Sequence, residues 1–189
     1  MSRIPLAAVD QQPEEIRQWM ARRGNLNVFR LLANAPHVFA GWTQMVDELF
    51  DSPTFNLRMR EVIILRVAHL QDSRYELAQH TGIARSAGLN EQQINAIIGT
   101  GDLDAAGFSR TERTALDVVT ELCSTHQLSE SSFAAAHAVF GDEAFTELLM
   151  ILSCYYGLAL VLNAADLDID ATARFQPLQE KQNDSNRVS

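Results

Sequence analysis

The stretch EVIILRVAHLQDSRYELAQHTGIARSAG, residues 61–88, decides how the chain is read. In its first half Val62, Ile63, Leu65, Val67 and Leu70 leave little polar surface between them, the pattern of a helix buried on nearly every side. The second half opens at Asp72 or Ser73, either of which suits an N-cap, and stops at Gly88, which suits a C-terminal break. Two helices joined by a tight turn are expected. On the second, Ser73, Glu76 and His80 fall three and four residues apart and share one face. Glu61, at the head of the first, is a carboxylate at the edge of an apolar segment, costly to bury unless paired or solvated.

The same punctuation extends outward. Pro13 with Glu14 and Glu15 starts a short helix to about Arg22, Gly24 interrupts it, and NLNVFRLLANAP and HVFAGWTQMVDELF form two more apolar-periodic segments divided near Pro36. Asp51 to Pro53 carry turn chemistry. Asn90 caps a short amphipathic helix that ends in glycines around Thr100. Ser109 and Glu112 have capping-box spacing ahead of a stripe through Leu116, Val119 and Leu122. A further short helix, a break at Gly141 and a long apolar helix complete the pattern, with no sustained strand alternation between residues 10 and 165. The expected fold class is all-α. An N-terminal helical extension is expected over 1–24, a helical domain over 25–165, and a polar tail over 166–189 that is mobile or wraps a partner.

At 189 residues the chain is long enough to bury a core without metal or disulfide staples, and 47% hydrophobic against 21% charged residues places it with globular proteins. Fifteen basic against twenty-four acidic residues give a net charge of -9, which argues against nucleic acid as a partner. Cys123 and Cys154 lie far apart and form neither a CxxC pair nor a zinc-type cluster, so a reducing cytoplasm is the default. Arg3 and the brief apolar patch after it do not make a signal peptide. The run from Leu148 to Leu162 is roughly fifteen residues, short of the ~20 of a spanning helix, and reads as a buried core helix with no membrane partner. Ser153, Tyr155, Tyr156 and Asn163 interrupt it, and must line a pocket or satisfy one another. Met45, Met59, Met150, Trp19 and Trp42 read as core or subunit-interface residues.

The candidate catalytic set is Glu61, Glu76 and His80, with Ser73, Tyr75, Arg66 and His69 as possible pocket neighbours. A carboxylate one turn before an imidazole can orient the ring and raise its basicity. The bland alternative makes Glu76 and His80 a solvated pair worth a few tenths of a kcal/mol, and Glu61 a complement to its helix dipole. ELAQH is not HExxH, and His37, His69, His126 and His137 show no ligand spacing, so no metal site is expected. Cys154, in an apolar run, reads as an inert small hydrophobe. Arg58, Arg60, Arg66, Arg74 and Arg85 cluster near the motif and are candidates for a carboxylate clamp.

Residues 61–88, followed by LNEQQINAI, carry a resemblance to the carboxymuconolactone decarboxylase and alkylhydroperoxidase D-like superfamily, over roughly residues 25 to 165. In the peroxidase branch the signature is a Glu on the first helix, then a CxxC pair, then a His four residues after the second Cys. Carried over, Glu61 and His80 match, while Ser73 and Glu76 occupy the cysteine positions. The dithiol is absent, and peroxide reduction by that route needs a thiolate and a resolving thiol. YELAQH is similar to the Tyr-Glu-Trp form of the cysteine-free, decarboxylase-like branch, with Leu77 in place of the Trp. The resemblance implies an alkylhydroperoxidase D-like helical domain, assembled as a trimer or hexamer, whose pocket takes Glu61, Glu76 and His80 from two helices. The leading expectation is a cofactor-independent lyase acting on a small carboxylated lactone, phenolic or keto-acid metabolite. In it Glu76 orients His80, His80 is the general acid or base, and Glu61 is a second proton carrier. The alternatives are a peroxidase-related antioxidant protein using Cys123 or Cys154, and a non-catalytic oligomeric binding module.

Overall fold

A helix with no polar face has to be surrounded, and the arrangement follows from that. The computed structural model describes residues 2–171, in which eight α-helices and one short 3-10 turn occur and no strand. The helices are α1 (Glu14–Arg22), α2 (Asn27–Leu32), α3 (Pro36–Asp51), α4 (Leu57–Leu70), α5 (Arg74–Ser86), α6 (Glu91–Ile97), α7 (Arg110–Thr125) and α8 (Glu130–Ala165). Every residue of α4 from Met59 to Ala68 is buried, and α5, α7 and α8 pack around it. The main core gathers Ile63, Ile64 and Val67 of α4 with Val118 and Val119 of α7 and Leu148 and Ile151 of α8. The opposite side of α4, through Val62 and Leu65, meets Ile94 and Ile97 of α6.

Local chemistry sets the boundaries. The Asn56 side chain accepts from the Met59 N–H at 2.9 Å to open α4. Asp72, in the left-handed region at φ 53°, turns the chain from α4 into α5. Ser73 holds the N-cap position of α5, but its hydroxyl makes no capping bond and is wholly buried. Capping boxes start α6, from Asn90 and Gln93, and α7, from Ser109 and Glu112. Gly141, at φ 67° and ψ -176°, breaks α8, so a short helix and a long one run almost end to end. That helix is longer than its apolar run: by length and composition it is sufficient to cross a bilayer, and 44% of its most apolar window is buried inside the fold.

The ends of the domain differ from expectation. Ile16, Trp19 and Met20 of the N-terminal extension belong to the main core. Residues just past α8 are docked: Leu167 is buried against Val28, Leu31 and Tyr75, and Arg3 N–H donates to the Ala165 carbonyl at 2.7 Å. A boundary at 166 therefore cuts through packed chain. The expected mobile or partner-wrapping tail, from residue 172 onward, lies outside the described residues.

The Ser109 hydroxyl accepts from the Glu112 N–H at 3.2 Å, and the Glu112 carboxylate accepts from the Ser109 N–H at 2.8 Å. Ser109→Ala is expected to lower the unfolding free energy by about 1 kcal/mol. The exposed control Ser86→Ala should change it by less than about 0.5 kcal/mol, both read by urea denaturation.

Candidate active site

Positions 75, 76, 79, 80 and 83 of α5 form one helix face, and all five line a cavity of about 110 Å³. Its other walls are mostly apolar and aromatic, with Trp19 of α1, Trp42 of α3 and Tyr155 of α8 among them. Tyr155 stands edge-on to the His80 ring, centroids 5.3 Å apart at 87°.

Glu61 is 0% exposed, and its two carboxylate oxygens lie 3.0 and 3.2 Å from His80 Nδ1. Nδ1–H donates to that carboxylate, which leaves Nε2, without a partner among the described residues, as the nitrogen that meets an incoming molecule. Burial alone would depress the His80 pKa, but the Glu61 charge and hydrogen bond, with Glu76 adding to them, hold it above its ordinary value. The imidazole side chain is 12% exposed.

Glu76 is 2% exposed and neither of its oxygens has a hydrogen-bond partner. Burial pushes this carboxyl up to about 7, with Ser73 and the His80 charge pulling the other way. Ser73 is close enough to ease ionisation but makes no bond of normal geometry to it. The expected division of labour is thus corrected. Glu61, from the neighbouring helix, orients His80, whereas Glu76 projects beside the ring without bonding to it. Residues four apart on a helix point the same way, so Glu76 and His80 both reach into the cavity while the ring edge turns back to Glu61. The solvated-pair alternative fails for the same reason, since both carboxylates are buried.

The remaining candidates divide. Tyr75 lines the cavity; its hydroxyl accepts from the Val28 N–H at 3.2 Å and donates to Asp170. Burial, with the Asp170 contact, pushes the phenol far above its ordinary value, so it stays a donor. Arg66 faces away, donating to the Thr120 hydroxyl and the Ile97 carbonyl at 2.9 Å each. His69 stands against Gly99, where a Cβ would fall 2.5 Å from its Nε2. Neither Arg66 nor His69 lines the cavity. The arginine clamp does not form: Arg58 bonds Glu112, Arg60 the carbonyls of Leu49, Ser52 and Phe55, Arg74 Asp166, and Arg85 Glu91. Successive positions on a helix point about 100° apart, and arginines close in sequence diverge accordingly. Leu77 packs toward α6 and α7, away from the cavity.

Trp19 and Trp42, core residues by sequence, pack in the main core and also form cavity wall, and Tyr155 takes the pocket-lining alternative. Gln79 was missed, although it sits one turn after Tyr75 on the same face. Asp170, which accepts from Tyr75, Gln79 and the Asn27 N–H, carries no sequence signal at all. Cys154 is buried with its thiol pushed up to about 11 by burial, and burial raises Cys123 as well.

Residues 36–121 match the carboxymuconolactone decarboxylase family. The family match and the shared fold together support the carboxymuconolactone decarboxylase and alkylhydroperoxidase D-like superfamily. The fold is shared with a peroxidase-related protein from Ralstonia eutropha JMP134 with an alkylhydroperoxidase AhpD core, at a TM-score of 0.78 and 20% identity over 90% of this chain and 93% of that one. A peroxidase-related protein from Silicibacter sp. TM1040 gives a TM-score of 0.75 and 17% identity, covering 90% and 92%. The debrominase Bmp8, in complex with 2,3,4-tribromopyrrole, gives 0.74 and 18%, covering 89% and 91%. No curated protein matches the chain in sequence. Glu61 and His80, which the resemblance matches to the motif's Glu and His, are the pair that the structure brings into hydrogen-bond contact.

The raised Glu76 carboxyl couples stability to pH. Unfolded, the group ionises near the ordinary 4.5; folded, near 7. Folding is unpenalised below the first value, and the cost grows as pH rises to the second and is then complete, on the order of 3 kcal/mol. Glu76→Gln removes it. The variant's stability relative to wild type should therefore be about 2 kcal/mol more favourable at pH 8 than at pH 5 in urea denaturation. An equal difference at both pH values would mean that Glu76 titrates normally.

Proposed function

We propose that this protein is a cofactor-independent lyase of the decarboxylase type, acting on a small carboxylated lactone, phenolic acid or keto acid held in the cavity. One observation carries the reading: an unpartnered, protonatable carboxyl and an imidazole backed by a buried carboxylate converge on one small aromatic-walled space. The cavity is of the order of the ~150 Å³ that admits benzene in an apolar core, which suits a single ring with its substituent toward the mouth.

Loss of carbon dioxide breaks the bond to the carboxylate and leaves its electron pair in the adjacent carbonyl or ring system as an enolate. The Glu61 carboxylate favours the imidazolium of His80, whose Nε2–H is placed to hydrogen-bond that oxygen. Glu76, neutral in part near pH 7, delivers the proton to carbon. Glu61 then positions rather than carries. The two cysteines supply little thiolate at neutral pH, which weighs against the peroxidase alternative. The expected homo-oligomer, a trimer or hexamer, and a cytoplasmic setting belong to the same reading; Met150, Leu160 and Val161 on α8 expose apolar surface that such an assembly would bury.

Turnover is measured on a panel of carboxylated lactones, phenolic acids and β-keto acids, by ultraviolet absorbance and carbon dioxide release in chelator-treated buffer. His80→Ala is expected to lower kcat/KM at least about 100-fold, and kcat/KM should fall as pH rises through about 7, where Glu76 deprotonates. The Cys123→Ser/Cys154→Ala variant should retain activity. Activity that vanishes with the cysteines would replace this reading with thiol chemistry, and ligand binding indifferent to His80→Ala with no turnover would make the chain a binding module.

A further inference from the structure

A small acid needs somewhere to put its carboxylate, and the arginines near the motif do not provide it. Among the residues lining the cavity only Arg23 carries a permanent cation, and it is stacked 4.1 Å over Trp19 and paired with Asp47. Two other lining residues, Tyr75 and Gln79, donate to an anion that lies beside the lining. Tyr75 and Gln79, 5% and 8% exposed, stand one turn apart beside Glu76 and His80. The Val28 N–H donates to the Tyr75 oxygen from behind, which commits the phenolic hydrogen to the other side. There it meets one oxygen of Asp170, which also accepts from Gln79 Nε2 at 2.9 Å. The other Asp170 oxygen accepts from the Asn27 N–H at 2.9 Å. Three uncharged donors from two helices converge on a single carboxylate, and the chain itself supplies that carboxylate from beyond α8.

The two sides of this contact are unequally anchored. Tyr75 and Gln79 are held by α5 and by the Val28 N–H, independently of what they bind. Asp170 sits on irregular chain between the exposed Ile169 and Ala171. The cradle is therefore preformed and its occupant is the more easily displaced.

We propose that Tyr75, Gln79 and the Asn27 N–H form the carboxylate subsite of the cavity, that Asp170 fills it in the ligand-free chain, and that an entering small carboxylic acid displaces Asp170 and unseats the segment around it. This rests on the reading of the cavity as the site of a small acid. A tethered competitor lowers the apparent affinity for every ligand that must displace it. A neutral ligand of the same shape, with no need of the subsite, escapes that penalty.

The test is binding of benzoate and of its neutral analogue benzamide to the full-length chain. It is followed by fluorescence of Trp19 and Trp42, which line the cavity. Asp170→Asn should bind benzoate at least about fivefold tighter than wild type with benzamide changed less than about twofold, and adding Tyr75→Phe should cancel the gain. In wild type, benzoate should speed hydrogen exchange across residues 167–171 more than benzamide does, a readout that requires no variant. Benzoate and benzamide shifting together in Asp170→Asn, benzoate weakening, or benzoate failing to bind the variant at millimolar concentration would each overturn the proposal. Binding is read without turnover. A chain that binds benzoate as expected and decarboxylates nothing keeps the subsite and loses the lyase reading; turnover without the Asp170 effect does the reverse.

Discussion

A carboxylate with no solvent exposure lies within the most deeply buried helix of this protein, and an imidazole on the next helix bonds to both of its oxygens. Glu61 in α4 is tolerable only because His80 is there, and His80 is held in one orientation only because Glu61 is. Breaking such a buried pair by removing one partner typically costs several kcal/mol, because the other charge is left without compensation. The local architecture serves this contact. A helical hairpin turning at residues 71–73 brings positions 61 and 80 level, and Asp72 accepts a left-handed backbone to make the turn. Once residue 80 is fixed, the rest of that face of α5 is fixed with it.

The consequence is an asymmetry between two carboxylates on either side of one ring. Glu61 has its partner and serves the imidazole as counter-charge. Glu76 has none, and burial lifts its carboxyl to about 7. Unsatisfied buried polar groups are rare enough to call for a reason, and proteins tolerate them where function requires a group to be poised rather than paired. A carboxyl raised in this way can hold a proton near neutral pH. Ser73, one turn before Glu76, is left as an unpartnered hydroxyl near this acid.

Much of the fold was legible in the sequence because it was written in local chemistry. Capping boxes, the left-handed break at Gly141 and the absence of a polar face on α4 are all properties of short windows. The candidate site was legible only in part. Spacing pairs His80 with Glu76, four residues away, whereas its hydrogen bond runs to a residue nineteen away across a hairpin. Arg58, Arg60 and Arg66 are neighbours in sequence, yet they point around α4 toward Glu112, the end of α3 with the loop after it, and α6. Trp19 and Trp42 look the same in a sequence whether they pack against a wall or against a cavity. Asp170 reaches Tyr75 over a separation of ninety-five residues, and no periodicity records it.

The geometry of a single helix then explains how one small ligand can meet two kinds of chemistry. Residues four apart form parallel ridges on an α-helix, and adjacent positions start adjacent ridges. On α5 the ridge of Glu76 and His80 carries the unpartnered carboxyl and the imidazole. The ridge of Tyr75 and Gln79, displaced by one residue, carries neutral donors that meet Asp170. Leu77, one position further round, already belongs to the packing against α6 and α7 and is not part of the cavity wall. A molecule whose reacting carbon and carboxylate lie a bond or two apart would span the two ridges without leaving that face. Under the proposed reading the ligand is narrowed by the helix itself: small enough for a cavity walled by Trp42 and Tyr155, with its polar groups on the side that faces α5.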